Sequence, residues 1–176
     1  MIVGFSGFAG SGKSTAARML KAHGFAVVPL AEPIKLMLRA LGLSEPQLYG
    51  TEKETPLDAL CGKSPRHALQ TLGTEWGRQH IGEEVWLRAW WSKCATIVGH
   101  VACDDVRFPD EAEFVRSKGG VIVKVSRPGV EAGDHPTEKQ QFTPDLEIVN
   151  AGTRQDLAET VRSLYERLQT AAPVEP

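Results

Sequence analysis

The stretch Gly7-Phe8-Ala9-Gly10-Ser11-Gly12-Lys13-Ser14 satisfies the spacing G-x-x-x-x-G-K-[ST]. Glycines let consecutive backbone N–H groups turn to one side of the chain, where they surround an anion. The lysine after the last glycine adds a charge on a flexible stem, and the hydroxyl beside it offers a hard oxygen for a divalent cation. Together these parts fit the phosphate chain of a nucleoside triphosphate such as ATP. Gly7, Ala9, Gly10, Ser11, Gly12, Lys13, Ser14 and Thr15 are the expected phosphate-binding set. Lys13 would reach the β- and γ-phosphate oxygens, and Ser14 would ligate Mg²⁺. An apolar run, Ile2 to Ser6, precedes the loop and a helical stretch follows it, so a helix N-terminus adds positive potential. That context argues against a glycine-rich turn that binds nothing.

A second group is Asp104-Asp105-Val106-Arg107-Phe108-Pro109. Open α/β sheets bind ligands at the C-terminal ends of their strands, and this segment ends one. Asp105, favoured over Asp104, is suited to hold a metal's hydration shell or to accept a proton from an acceptor. Arg107 is suited to meet an acceptor's phosphate. Arg66 and Gln70 stand four residues apart, on one face of a helix, and Lys35 follows the second strand. A second pocket distinguishes a kinase from a hydrolase, which needs only a positioned water.

The elements that must position these residues alternate short β-rich runs with longer helical ones, the pattern of a parallel sheet with helical crossovers. Strands are expected at Ile2–Ser6, Phe25–Leu30, Thr96–Cys103, Val121–Val125 and Leu146–Val149. Helices are expected at Lys13–His23, Ile34–Leu41, Arg66–Gln79 and Glu84–Ala95, from Pro109 to Gly119, and from Thr153 onward, with Asp156 completing a capping box. Residues 44–62 read as irregular. Trp86 and Trp90 read as core.

Charge and composition exclude several classes. The 176 residues carry a formal net charge of −2, which offers no general attraction to nucleic acid or anionic lipid. Three well-separated cysteines without a C-x-x-C pair argue against a disulfide framework or a zinc site. No apolar run is long enough for a membrane span or a secretion signal, so a cytoplasmic enzyme is expected.

The combination of GFSGFAGSGKST, Ala31-Glu32-Pro33-Ile34-Lys35, SPRHALQTLGTEWGR (residues 64–78) and DVRFPDE (residues 105–111) resembles the phage-type deoxynucleoside monophosphate kinases. Those belong to the P-loop nucleoside monophosphate kinase superfamily. The resemblance runs from the N-terminus to about Gly152. It implies a three-layer α/β fold with a five-stranded parallel sheet in the order 2-3-1-4-5. The whole chain, 1–176, would be one kinase domain, with an acceptor-binding helical region at about 32–95 and a lid at about 127–141. It further implies that Arg66 and Arg107 grip the acceptor's phosphate, while Gln70, Trp76 and Arg78 line or support its pocket. Arg127 would act from the lid, where His135-Pro136-Thr137-Glu138 resembles a short family element. The adenine ring would rest near Asn150. The implied substrates are ATP with Mg²⁺ and a deoxynucleoside monophosphate. Dephospho-coenzyme A kinase or adenylate kinase chemistry, a non-catalytic switch or ATPase module, and a homodimer stay open at this point.

Overall fold

Every residue of β1, Ile2–Ser6, is buried, as a central strand covered on both faces requires. In the computed structural model, which describes residues 1–131 and 142–171, this strand lies at the centre of a five-stranded sheet. The others are β2 (Phe25–Val27), β3 (His100–Cys103), β4 (Gly120–Ser126) and β5 (Leu146–Val149). The order is β2-β3-β1-β4-β5 and all pairs are parallel, as the resemblance implied. Gly4 pairs with Cys103 on one side and with Ile122 on the other, so the chain leaving β1 has the ends of β3 and β4 as neighbours.

Two compact units make up the chain. One comprises Met1–Pro29 and Ile97–Pro176, the other Leu30–Thr96. In the first, helices α1 (Lys13–Met19) and α7 (Arg154–Ala171) pack with the sheet. Leu157, Val161, Leu164 and Leu168, spaced along one face of α7, join Val3, Phe5, Ala16, Leu20 and Val123 in its core. Helix α6 (Pro109–Ser117) begins with proline at its first position, where no N–H is needed. The second unit holds α2 (Glu32–Ala40), α3 (Glu45–Tyr49), α4 (Pro65–Gln70) and α5 (Val85–Cys94), with α2, α3 and α4 gathered around Leu38, Leu43 and Leu48. Helical residues 32–95 therefore fall within this unit.

Several boundaries differ from the sequence reading. The third strand starts at His100, because Gly99 takes φ 115 and Val98 is 101% exposed, which leaves residues 96–99 outside the ladder. β2 stops at Val27; one further bond, from Val28 N–H to the Ala102 carbonyl, precedes Pro29. The stretch read as irregular contains α3, entered at Ser44, whose N–H donates to Gln47 Oε1 at 2.8 Å. The helix expected over 66–79 is α-helical only to Gln70 and continues as a π-helix, Thr71–Ile81. Trp86 and Trp90 are buried, as expected. The capping box at Thr153 is present: the Thr153 N–H and hydroxyl both donate to Asp156 Oδ2, and those bonds hold the Asp156 carboxyl below its usual range.

Candidate active site

The loop after β1 carries glycine where the backbone turns left-handed: Gly7, Gly10 and Gly12 have φ 132, 80 and 107. Gly7 has a second constraint, since a Cβ there would lie 2.2 Å from the Val125 carbonyl oxygen. The loop opens directly into α1 at Lys13. Lys13 Nζ donates to the Gly7 and Phe8 carbonyl oxygens at 2.7 and 2.6 Å, so the ammonium is folded back over the loop. The Ser6 and Ser11 hydroxyls are buried with no hydrogen-bond partner among the described residues.

A cavity of about 490 Å³ opens on this loop. Gly10, Gly12, Lys13, Ser14 and Thr15 line it, together with Arg127 just after β4, Asn150 just after β5 and Arg154 at the start of α7. Asn150 is buried, and its amide Nδ2 donates to the Ser11 carbonyl at 2.9 Å. A Cβ on Gly12 would come within 2.6 Å of that same nitrogen. Asn150 thus props the loop from behind, a contact that the expectation of an adenine neighbour did not contain. Arg154 was missed in the sequence reading. Its signal was available: an arginine in the first turn of a helix opposes the helix dipole and needs another reason to be there.

Asp104 and Asp105 follow β3 directly and are half-buried. The bond from Val106 N–H to the Phe5 carbonyl, 3.2 Å, ties their segment to the end of β1. Arg107 is exposed in the turn before α6. Its backbone N–H and that of Phe108 both donate to the buried Glu111 carboxylate, at 2.7 and 3.1 Å, which fixes the turn. Glu111 carries half of a capping box that the motif D-V-R-F-P-D-E contains.

The remaining expected residues lie in the second unit. Arg66 and Gln70 are exposed on α4, and the Arg66 guanidinium donates to the Glu54 carboxylate. Trp76 and Arg78 lie on the π-helix. Trp76 is 43% exposed with its ring 5.8 Å from that of Trp86, and Arg78 is half-buried. Trp86 Nε1 donates to the Gly73 carbonyl at 2.7 Å. Lys35 places its ammonium 4.1 Å from the centre of the Tyr49 ring. Beside it, Glu32 accepts from Tyr49 Oη and from Lys93 Nζ. Burial acts to raise the Glu32 carboxyl, but the bonds from Tyr49 and Lys93 outweigh it and hold the group below its usual value. Burial, reinforced by that carboxylate, keeps the Tyr49 phenol protonated well above its ordinary range. His135 and Glu138, and the lid from residue 132 onward, lie outside the described residues. Among the described residues no group of three or more His, Cys, Asp or Glu side chains is placed to hold a metal ion, and no helix is long and apolar enough to cross a membrane.

The sheet order and the phosphate loop define a P-loop nucleotide-binding fold. Shikimate kinase from Aquifex aeolicus superposes with a TM-score of 0.53, covering 98% of this chain and all of that one at 15% identity. No family model matches the sequence. A protein of Acanthamoeba polyphaga mimivirus, provisionally named deoxynucleotide monophosphate kinase, is 33% identical over 94% of this chain and 96% of its own. The deoxynucleoside-5'-monophosphate kinase of Escherichia phage T5 is 35% identical over 54% of this chain and 42% of its own. The chain belongs to the deoxynucleoside monophosphate kinase family, and it is a phosphotransferase.

Proposed function

We propose that this enzyme transfers the γ-phosphoryl group of ATP to a deoxynucleoside monophosphate, releasing ADP and a deoxynucleoside diphosphate. The cavity formed by the glycine loop with Arg127, Asn150 and Arg154 is the observation that carries the reading. Its left-handed glycines and folded-back lysine suit a phosphate chain, and full-length similarity to a deoxynucleotide monophosphate kinase supports the acceptor class. The donor set also fits Mg²⁺: the Ser14 hydroxyl and Asp105 carboxylate are hard oxygens. Bound there, the ion would neutralise charge on the β- and γ-phosphate oxygens.

The loop amides hold the β-phosphate, and Lys13 leaves the Gly7 and Phe8 carbonyls to meet the transferring group. An oxygen of the acceptor's phosphate attacks the γ-phosphorus in line, and the bond to the β–γ bridging oxygen breaks with its electrons leaving on ADP. Arg127 reduces the charge that develops in between. Arg66 and Arg107 are each suited to an acceptor's phosphate, because a guanidinium fork matches two phosphate oxygens at once. Gln70, Trp76, Arg78 and Lys35 support the acceptor. Catalysis is alignment and electrostatics, without a covalent intermediate.

The test is a coupled ADP-release assay against a panel of ribo- and deoxymononucleotides, with Lys13→Ala as control. ADP release that depends on deoxymononucleotides and disappears in the variant is expected. Release at one rate with or without any mononucleotide would overturn the assignment.

A further inference from the structure

Within the first unit, α1, the turn that follows it and α7 border a second, open cavity of about 380 Å³. Three exposed arginines are among its lining residues: Arg18 from α1, and Arg154 and Arg162 from α7. No carboxylate is among its lining residues, and none of the three arginines forms an ion pair among the described residues. In a chain with net charge −2, this is a local reversal of sign. Like charges gathered around one hollow repel each other, and an anion placed among them removes that repulsion. The side chains of Met19 and Val161 add apolar lining, and His23 forms a wall, stacked on Tyr165 with ring centres 4.4 Å apart. Thr15 and Arg154 line both this cavity and the one on the phosphate loop.

We propose that this hollow is a second binding site, taking the phosphate chain of an anionic ligand, and that its occupant competes with the triphosphate on the loop for Arg154. Guanidinium forks are the side chains best matched to phosphate oxygens, and two arginines of this hollow stand clear of the loop cavity. A ligand held here draws Arg154 from the loop, so it weakens donor binding. The coupling rests on the loop being the triphosphate site, whereas the second site itself does not.

Calorimetric titration of the full chain with a non-hydrolysable ATP analogue, and separately with inorganic tripolyphosphate, tests the proposal. The unsubstituted protein is expected to bind two equivalents. Arg18→Ser with Arg162→Ser should lose one site, its affinity falling about tenfold or more for each arginine, while turnover at low triphosphate is kept. Lys13→Ala should weaken the other without abolishing it. In the Lys13→Ala protein, equal affinity of the second site for the two probes identifies the ligand by its phosphates alone, and tighter binding of the analogue there identifies a nucleotide. One equivalent on the unsubstituted chain, or two on the doubly substituted one, overturns the proposal. Two sites in a protein that fails to phosphorylate any mononucleotide would instead defeat the kinase assignment and leave the second site standing.

Discussion

Lys13 donates to two carbonyls of its own loop, so the charge that would stabilise a transferring phosphoryl group is already held within reach of it. Lys13→Ala is expected to lower kcat by about 10²–10³-fold, the loss seen when one preorganised transition-state donor is removed. Stopped assays at saturating substrates check this, and a circular dichroism spectrum like that of the unsubstituted chain shows that the fold survived. Asn150 acts on the same loop from the other side. Asn150→Ala leaves the Ser11 carbonyl without its donor, at a cost of about 1–3 kcal/mol. The KM for the triphosphate is expected to rise while that for the monophosphate stays near its original value; equal rises would sink the prop. The glycines and Lys13 were legible in the sequence because the loop's chemistry is local. The Asn150 bond was not, since it joins residues 139 positions apart and only the β1–β4 and β4–β5 pairings bring them together.

At the scale of elements, the segment LQTLGTEWGR was conspicuous in sequence, but its conformation was not. Apolar spacing over so short a stretch cannot tell an α-helix from a π-helix. Gly77 is buried against the indole of Trp86; a Cβ added there would lie 2.3 Å from Nε1. Gly77→Ala must therefore displace the ring that bonds the Gly73 carbonyl, and a loss of about 1–3 kcal/mol in unfolding free energy is expected. Denaturant titration measures it, and an unchanged midpoint would mean that Trp86 moves freely. The Glu32–Tyr49–Lys93 network gives the same unit a pH signature. The folded Glu32 carboxyl titrates below its unfolded value, so its stabilising contribution is full above the unfolded pKa and is lost as pH falls through the folded one. Relative to Glu32→Gln, the unsubstituted chain should gain its advantage near neutrality and lose it in acid. An advantage that persisted at low pH would exclude the carboxylate as its source.

Across the whole molecule, the parallel sheet followed from the alternation of elements and its strand order from the family resemblance, whereas the division into two units left no mark in composition. No linker or change of charge announces Leu30 or Ile97, because both fall beside sheet strands rather than in a spacer. The division makes the two proposed substrates separately observable. All four tryptophans, at positions 76, 86, 90 and 91, lie in the Leu30–Thr96 unit, while the phosphate loop lies in the other. Trp76, the most exposed of the four, shares the π-helix with Arg78. If that unit receives the monophosphate, a deoxymononucleotide should change the tryptophan emission, and Trp76→Phe should remove most of the change. A non-hydrolysable triphosphate should instead raise the calorimetric unfolding midpoint. At one hundred times its Kd it adds about 2.7 kcal/mol, or roughly 5–11 °C for a chain of this size. An emission change with the triphosphate and none with any monophosphate would move the acceptor away from Trp76 and Arg78, and would leave the loop's role untouched.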